Sequence, residues 1–495
     1  MFTASLLRTG VPLALAVSAA LLLPAGQALA QTGPDPARTP EEVLEAALAR
    51  SPNTGAARNV ILFIGDGMGV STVTAGRILD GQRQGRDGAS HDLAFDTMPY
   101  GGLVRTYSAD GLVTDSANGA SAITTGYRTI NGALGVDGGA RRGVCDPSRN
   151  VATIAQRAKA EIGKAVGVVS TSSVTDASPA AFYAHVPDRN WQSDAELPAA
   201  ARAAGCQDIA AQLVLAPDEI RPDLVLGGGW SFFRPAEAGG RRVDGQDLTA
   251  LWASQPGGAY VTDREGMTQA VAERRKILGL FAPVHIPHEL DRPGAAPQII
   301  PTLEEMTRAA ISRLAAEPAG YVLLVEGAHI DKAHHAGLIN ASLTELIEFA
   351  KAVAAAREMT DDADTLILVT ADHSHGLVIS GGARGDDVLG LIKGPTGAPR
   401  LAEDGKPIPI LSYATGPGGP RDASGRPGLE AGDPTAPDHV RQAGVYFSSA
   451  AHAGEDVPAY AEGPGAYLVT GSMDQPYLFQ VLRHALRLPP KPPGS

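Results

Sequence analysis

The chain has 495 residues, 44% hydrophobic and 19% charged, an ordinary globular composition with enough apolar material for a large core. A formal charge of −13 argues against a surface built for nucleic acid or anionic membrane and suits a soluble protein, to whose acidity a buried cluster of metal-binding carboxylates would add.

In chain order, residues 1–30 read as a secretory signal peptide. Arg8 is their only charge, Val11–Leu23 is almost wholly apolar, and Ala28-Leu29-Ala30 offers small residues for cleavage. That run is short for a membrane anchor, and no later segment has the length of a spanning helix. The expected mature chain starts near Gln31, is periplasmic or secreted, and carries a charge of −14 once Arg8 is lost from the −13 total. Residues 31–58 form an N-terminal arm. Within it TPEEVLEAALARS opens as a helix does, with Thr39 as cap, Pro40 in the first turn and Glu41 and Glu42 behind it.

Apolar strand-like runs then alternate with Ala-rich helical patterns. The runs are Val60–Ile64, Ala165–Val169, Leu224–Leu226, Tyr321–Val325 and Thr365–Thr370; the helical patterns include Val151–Ala160, Leu303–Ala316 and Ser342–Met359. The expected fold is α/β: a doubly wound, mostly parallel sheet flanked by helices. Residues 59–486 are read as one domain, interrupted at 378–451 by a Gly/Pro/Asp-rich surface insertion and followed by a Pro-rich tail at 487–495. Cys145 and Cys206, an even pair in an exported chain, favour a disulfide.

In open α/β sheets, sites form beyond the carboxyl ends of strands. The first run continues as VILFIGDGMGVS, residues 60–71, and raises the question of a dinucleotide loop. Val70 stands where a third glycine belongs, and Asp66 would repel a pyrophosphate, so the loop suits a cation. The next strand ends deliver Asp176 and Ser178, then Glu326, Asp331 and His335, then Asp372 and His373. Four strands bringing acids, hydroxyls and imidazoles to one edge point to a polynuclear metal site. In VEGAHIDKAHH a helix from Ala328 puts Asp331 and His335 on one face, with His334 turned elsewhere. His375 is either a third ligand or a donor to a ligand, the latter preferred. In VTDSANGASA, Ser116 is either a nucleophile at a helix start, activated by a cation, or a plain helix cap. The G-x-S-x-G elbow, the P-loop and H-E-x-x-H are all absent from the sequence.

Six ordered segments, NVILFIGDGMG, VTDSANGASA, DASPAAFYAHVPDR, VEGAHIDKAHH, VTADHSH and AHAGEDVPAY, together resemble the alkaline phosphatase family. The resemblance implies hydrolysis of phosphate monoesters through a phosphoserine on Ser116, at a centre of two zinc ions and one magnesium ion. It implies one zinc on Asp331, His335 and His452, and a second on Asp66, Asp372 and His373 with Ser116 completing it. It implies magnesium on Asp66, Ser178 and Glu326. Arg189 would fork onto two phosphate oxygens, with Asp115 orienting it. Two zinc ions about 4 Å apart suit in-line phosphoryl transfer, and oxygen-only ligands suit magnesium.

The stretch AHAGEDVPAYAEGPGAYLV resembles the animal branch, as does the placing of Cys145 and Cys206. Asp176 and Lys332, beside the third site, resemble the bacterial type and favour magnesium there. Ala282 and Ile300 stand where the animal branch has the acids of a calcium site, so no such site is expected. The insertion resembles the family's crown, which with the N-terminal arm implies a homodimer. The rival readings are a phosphodiesterase or sulfatase using the same metals, and a non-catalytic exported binding protein.

Overall fold

Long apolar runs become strands here because both their faces are covered. A computed structural model describes residues 39–294, 299–422, 425 and 433–490. The signal-peptide reading, the first part of the arm and the end of the tail lie outside the described residues. In chain order the strands are β1 Asn59–Gly65, β2 Tyr100–Arg105, β3 Ala165–Ser173, β4 Leu224–Gly228, β5 Gly258–Val261, β6 Lys276–Leu280, β7 Tyr321–Gly327 and β8 Thr365–Thr370. They continue with β9 Ser374–His375, β10 Leu377–Ile379, β11 Leu411–Gly416, β12 Ala443–Tyr446, β13 His452–Ala453, β14 Val457–Glu462 and β15 Gly471–Asp474.

Ten of them form one sheet in the order β15-β2-β14-β8-β1-β7-β3-β4-β6-β5. Only β14 runs antiparallel to its neighbours, β2 and β8. All residues of β1, β3, β7 and β8 are buried, as their unbroken apolar character requires. Helices Val70–Arg83, Leu303–Leu314 and Ile339–Met359 pack together, and helices Ser116–Thr125, Ile154–Ile162 and Gln475–Ala485 form another group. The sheet is therefore the doubly wound, mostly parallel one expected.

Register decides what meets at the site. Ile64 pairs with Glu326 on β7 and with Thr370 on β8, while Ser170 on β3 also pairs with Glu326. Four adjacent strands thus end at nearly one level, and the residues that follow share one edge.

The insertion carries more apolar packing than its composition suggested. Strands β10, β11 and β12 form a small sheet. Leu377, Val388, Leu389, Ile410, Leu411, Tyr413 and Ala443 bury themselves against Ala75, Leu79, Ile339, Leu343 and Ile347. At its base β9 and β13 pair antiparallel, His375 opposite His452. Helix Pro40–Ala49 has the Thr39–Glu42 capping box and buries none of its residues, leaving Val43, Leu44 and Leu48 exposed. Cys145 and Cys206 are disulfide-bonded. Ala282 is buried and Ile300 packs against the main core.

Candidate active site

The loop after β1 turns because Gly67 adopts φ +70°, and a Cβ there would lie 2.7 Å from His375 Cδ2. That turn sends Asp66 inward. Its carboxylate lies 3.3 and 3.4 Å from Ser116 Oγ, and 3.3 Å from His373 Nε2. Burial raises the Asp66 pKa well above the usual carboxylate range, and Asp372, Asp331 and Glu326 push it further the same way. Asp372 Oδ1 accepts from the Gly67 and His373 amides at 3.1 and 3.0 Å, while its buried Oδ2 has no hydrogen-bond partner.

Ser116 is not a helix cap. Asp115 holds that position and accepts from the Asn118 amide at 3.2 Å, so Ser116 opens the helix as its first residue. Its Oγ lies 3.0 Å from His373 Nε2. The helix approaches closely because Gly119 has no side chain: a Cβ would meet the Asp372 carbonyl oxygen at 2.6 Å.

The short helix His329–His335 follows β7 and puts Asp331 and His335 on one face, Oδ1 and Nε2 3.4 Å apart. Strand β13 brings His452 to the same place, 3.4 Å from Asp331 Oδ1 and 3.0 Å from His335 Nε2. Backbone contacts fix both rings. His335 Nδ1 bonds the Ala450 carbonyl at 2.6 Å, and His452 Nδ1 bonds that of Thr114 at 3.0 Å. A carbonyl only accepts, so each Nδ1 carries hydrogen, which leaves Nε2 of each ring as the atom turned inward and able to ligate a cation. Burial works against protonating His452, but Asp331 overcomes it and raises the pKa: the pocket draws positive charge. Burial works to raise the Asp331 pKa, yet His375, His452 and His335 hold it well below the ordinary value.

Ligand-type atoms of Asp331, His335, His375 and His452 all lie within 4.8 Å of one another, as do those of Asp66, Asp331 and His373. Converging imidazole lone pairs and carboxylates are the donor set zinc takes. His375 touches Asp331 Oδ1 through Nε2 at 2.5 Å. His334 faces away, as expected, its ring nitrogens 3.0 Å from Thr72 Oγ1 and 2.7 Å from Tyr413 Oη.

Glu326, at the end of β7, accepts hydrogen bonds from Ser170 and Ser172 on β3. Neither serine was singled out from sequence, since hydroxyls inside a strand carry no positional signal. Burial is the main force lifting the Glu326 pKa to about 7. Ser178 sits in the helical turn Ala177–Ala180, its buried Oγ without a hydrogen-bond partner. An orphan hydroxyl and a carboxylate held against its ordinary ionisation both suit a hard cation.

Arg189 is held from two sides: Nη1 to Asp115 Oδ2 at 3.2 Å and Nη2 to Asp176 Oδ1 at 3.0 Å. Lys332 Nζ bonds the other Asp176 oxygen at 2.8 Å. Burial works to raise the Asp176 pKa, but Lys332 and Arg189 hold the carboxyl far below the usual range. A hydroxyl at a helix start, carboxylates and imidazoles arranged for cations, and a braced guanidinium form a set that can handle a doubly charged oxyanion.

Residues 57–488 match the family model described as alkaline phosphatase. The tissue-nonspecific alkaline phosphatase of Gallus gallus is 40% identical over 460 residues, covering 88% of this chain and 86% of that protein. The alkaline phosphatase of Gadus morhua is 36% identical and covers 90% of this chain and 95% of its own. Among solved structures, the alkaline phosphatase of Thermus thermophilus aligns with a TM-score of 0.65 at 28% identity, over 92% of this chain and 97% of that one. The Antarctic bacterium TAB5 alkaline phosphatase shares the fold with a TM-score of 0.62 at 23% identity, over 88% of this chain and 100% of its own.

Proposed function

This chain belongs to the alkaline phosphatase family, whose members hydrolyse phosphate monoesters, and from that premise we propose that it works through a phosphoserine on Ser116. The carrying observation is the placement of Ser116 Oγ 3.0 Å from His373 Nε2 and 3.3 Å from Asp66 Oδ1, at the start of a helix capped by another residue.

Three cations fit the donors. Asp331, His335 and His452 suit one zinc; Asp66, Asp372 and His373, with Ser116, suit a second. Asp66, Ser178 and Glu326 offer only oxygen and suit magnesium. When bound, the ions supply Lewis-acid activation of hydroxyl groups and neutralise phosphate charge.

The chain's own residues do the rest. Ser116 Oγ attacks phosphorus, the phosphorus–oxygen bond to the alcohol breaks, and the alcohol leaves with a proton. A water then attacks the phosphoserine, frees inorganic phosphate and restores the Ser116 hydroxyl. Free N–H groups of the helix's first turn face the phosphoryl oxygens. Arg189 binds two of those oxygens, braced by Asp115 and Asp176, and Lys332 adds charge through Asp176. A monoester brings the second negative charge that this cationic wall suits; a diester does not.

We further propose that the protein is secreted or periplasmic and homodimeric. Residues 1–30 and the Cys145–Cys206 bond support export. Among the described residues no helix is long and apolar enough to cross a membrane. The exposed Val43, Leu44 and Leu48 of the N-terminal helix, and Val445 and Phe447 of the insertion, offer apolar surface for a second copy. Light scattering of the purified protein checks the dimer.

The mechanism is tested by acid-quenching turnover and mapping phosphate by mass spectrometry, with metal analysis and chelator controls. Phosphate on Ser116 and negligible diester or sulfate-ester hydrolysis are expected. A Ser116→Ala variant hydrolysing monoesters at the wild-type rate would overturn it.

A further inference from the structure

The insertion reaches the metal centre through a buried contact that the mechanism above does not use. Tyr413 lies on β11, 2% exposed, and its Oη is 2.7 Å from His334 Nδ1. His334 is fully buried, and its Nε2 lies 3.0 Å from Thr72 Oγ1 on helix Val70–Arg83. Both ring nitrogens are therefore satisfied, and the ring plane is fixed by two elements outside its own helix. The tyrosine ring stands edge-on to the imidazole, centroids 5.6 Å apart at 86°.

That fixed ring faces His375, with centroids 5.0 Å apart and planes tilted 37°. His375 needs such support. Its Nε2 contacts Asp331 Oδ1, but its Nδ1 is buried with no hydrogen-bond partner. His335 and His452, by contrast, each have Nδ1 tied to a backbone carbonyl. Ring packing must do for His375 what those carbonyls do for the other two. His334 also precedes His335 in the same helical turn, so its anchoring sets the rotation of the helix that carries Asp331 and His335.

We propose that Tyr413 and His334 are positioning residues of the metal centre: the insertion's Tyr413 hydroxyl fixes His334, and His334 holds His375 and, through it, the Asp331 carboxylate in ligand geometry. The proposal rests on the reading of Asp331, His335 and His452 as zinc ligands. It makes the insertion a contributor to metal retention as well as a surface.

The test is Tyr413→Phe, which keeps the ring and removes only the hydroxyl. Zinc affinity is measured by competition with a chelator at buffered free zinc, and the cobalt-substituted protein is followed by its visible absorption. Loss of a direct partner of a metal ligand costs about 10–100-fold in affinity. Tyr413 acts on Asp331 through His334 and His375, so we expect zinc binding weakened by up to about tenfold. A shifted cobalt spectrum is expected too. At limiting zinc, kcat falls, and excess zinc restores it with KM unchanged. A merely structural role would lower the unfolding temperature and leave activity unrestored by zinc. Tyr446→Phe, elsewhere in the insertion, is the control and should leave zinc affinity at the wild-type value. Wild-type zinc affinity and cobalt spectrum in Tyr413→Phe overturn the proposal. The zinc measurement needs no turnover, so a wild-type protein that binds zinc in this site yet hydrolyses no monoester refutes the phosphatase mechanism and not the positioning role.

Discussion

Replacing Arg189 tests the phosphate-binding half of the site. A guanidinium has five N–H donors in a planar fork. Asp115 and Asp176 each take one, at 3.2 and 3.0 Å, and the remaining donors are available to the substrate. Charge-assisted hydrogen bonds contribute about 1.5–3 kcal/mol each. Losing two at the low end gives about 3 kcal/mol, or roughly a hundredfold in kcat/KM, since about 1.36 kcal/mol is tenfold. Arg189→Ala also takes the guanidinium away from Asp115 and leaves Asp176 with Lys332 alone, which adds negative charge beside the phosphate, so about a hundredfold is a lower bound. Arg189→Lys keeps the charge and loses the fork, and should fall roughly tenfold. Asp115→Asn loosens one brace and should raise KM a few fold with little change in kcat. Steady-state kinetics on an aryl phosphate, with competitive inhibition by inorganic phosphate in parallel, measures all three. Arg189→Ala within threefold of wild type, with unchanged phosphate inhibition, would refute the assignment.

Asp176 supplies a pH test. Its folded pKa is depressed, so its stabilising contribution is present above the unfolded value of about 3.9 and lost only as pH falls through the lower folded value. It therefore stays ionised across neutral and alkaline pH, and Asp176→Asn should raise KM without moving the acid limb of kcat/KM; a displaced limb would contradict this. Gly67→Ala combines left-handed strain of about 1–2 kcal/mol with a Cβ 2.7 Å from His375 Cδ2. It should lower zinc affinity and activity at least tenfold, and normal values for both would show that the loop can relax. The disulfide closes a separation of 61 residues, which in the chain-entropy model stabilises by about 4 kcal/mol. At ~2.1 cal/mol/K for each of roughly 450 residues, the Cys145→Ala/Cys206→Ala pair should lower Tm by about 4–5 °C and leave kcat intact. Lost kcat with unchanged Tm would place the effect in the folded site instead. Chelation should abolish hydrolysis, and added Zn²⁺ and Mg²⁺ should restore it.

The central strands were legible because β1, β3, β7 and β8 are buried on both faces, which forces unbroken apolar runs. Most of the strands that went unread lack that signature; β6, KILGL, is buried but short. β2 is YGGLVR with alternating exposure, β5 is four residues long, and β14 is VPAYAE with a proline and few large apolar residues. Their pairing is decided by neighbours far along the chain. In the site, Asp66, Glu326, Asp331 and Asp372 were readable because each closely follows such a run. His452 was not readable from its own surroundings, because a two-residue pairing across the whole insertion brings it home. Thr72, Tyr413, Ser170 and Ser172 were invisible for a similar reason. Each acts through a partner more than 150 residues away, except for Tyr413, at 79 from His334.

The clasp between β9 and β13 has a consequence for how this protein can be rebuilt. Chain leaving the site after His375 returns at its point of departure, because residues 374–375 and 452–453 are bonded to each other. A loop pinned at its base changes length cheaply: each doubling costs only about 0.6 kcal/mol of closure entropy. Exposed stretches of residues 376–451 can therefore be lengthened, exchanged or fused to another domain, so long as Tyr413, the Ala450 carbonyl that holds His335 and the apolar residues packed on Ile339 and Leu343 stay in place. The insertion is thus two-sided: its outer surface is open to redesign, while its buried underside belongs to the metal centre and must be carried along unchanged.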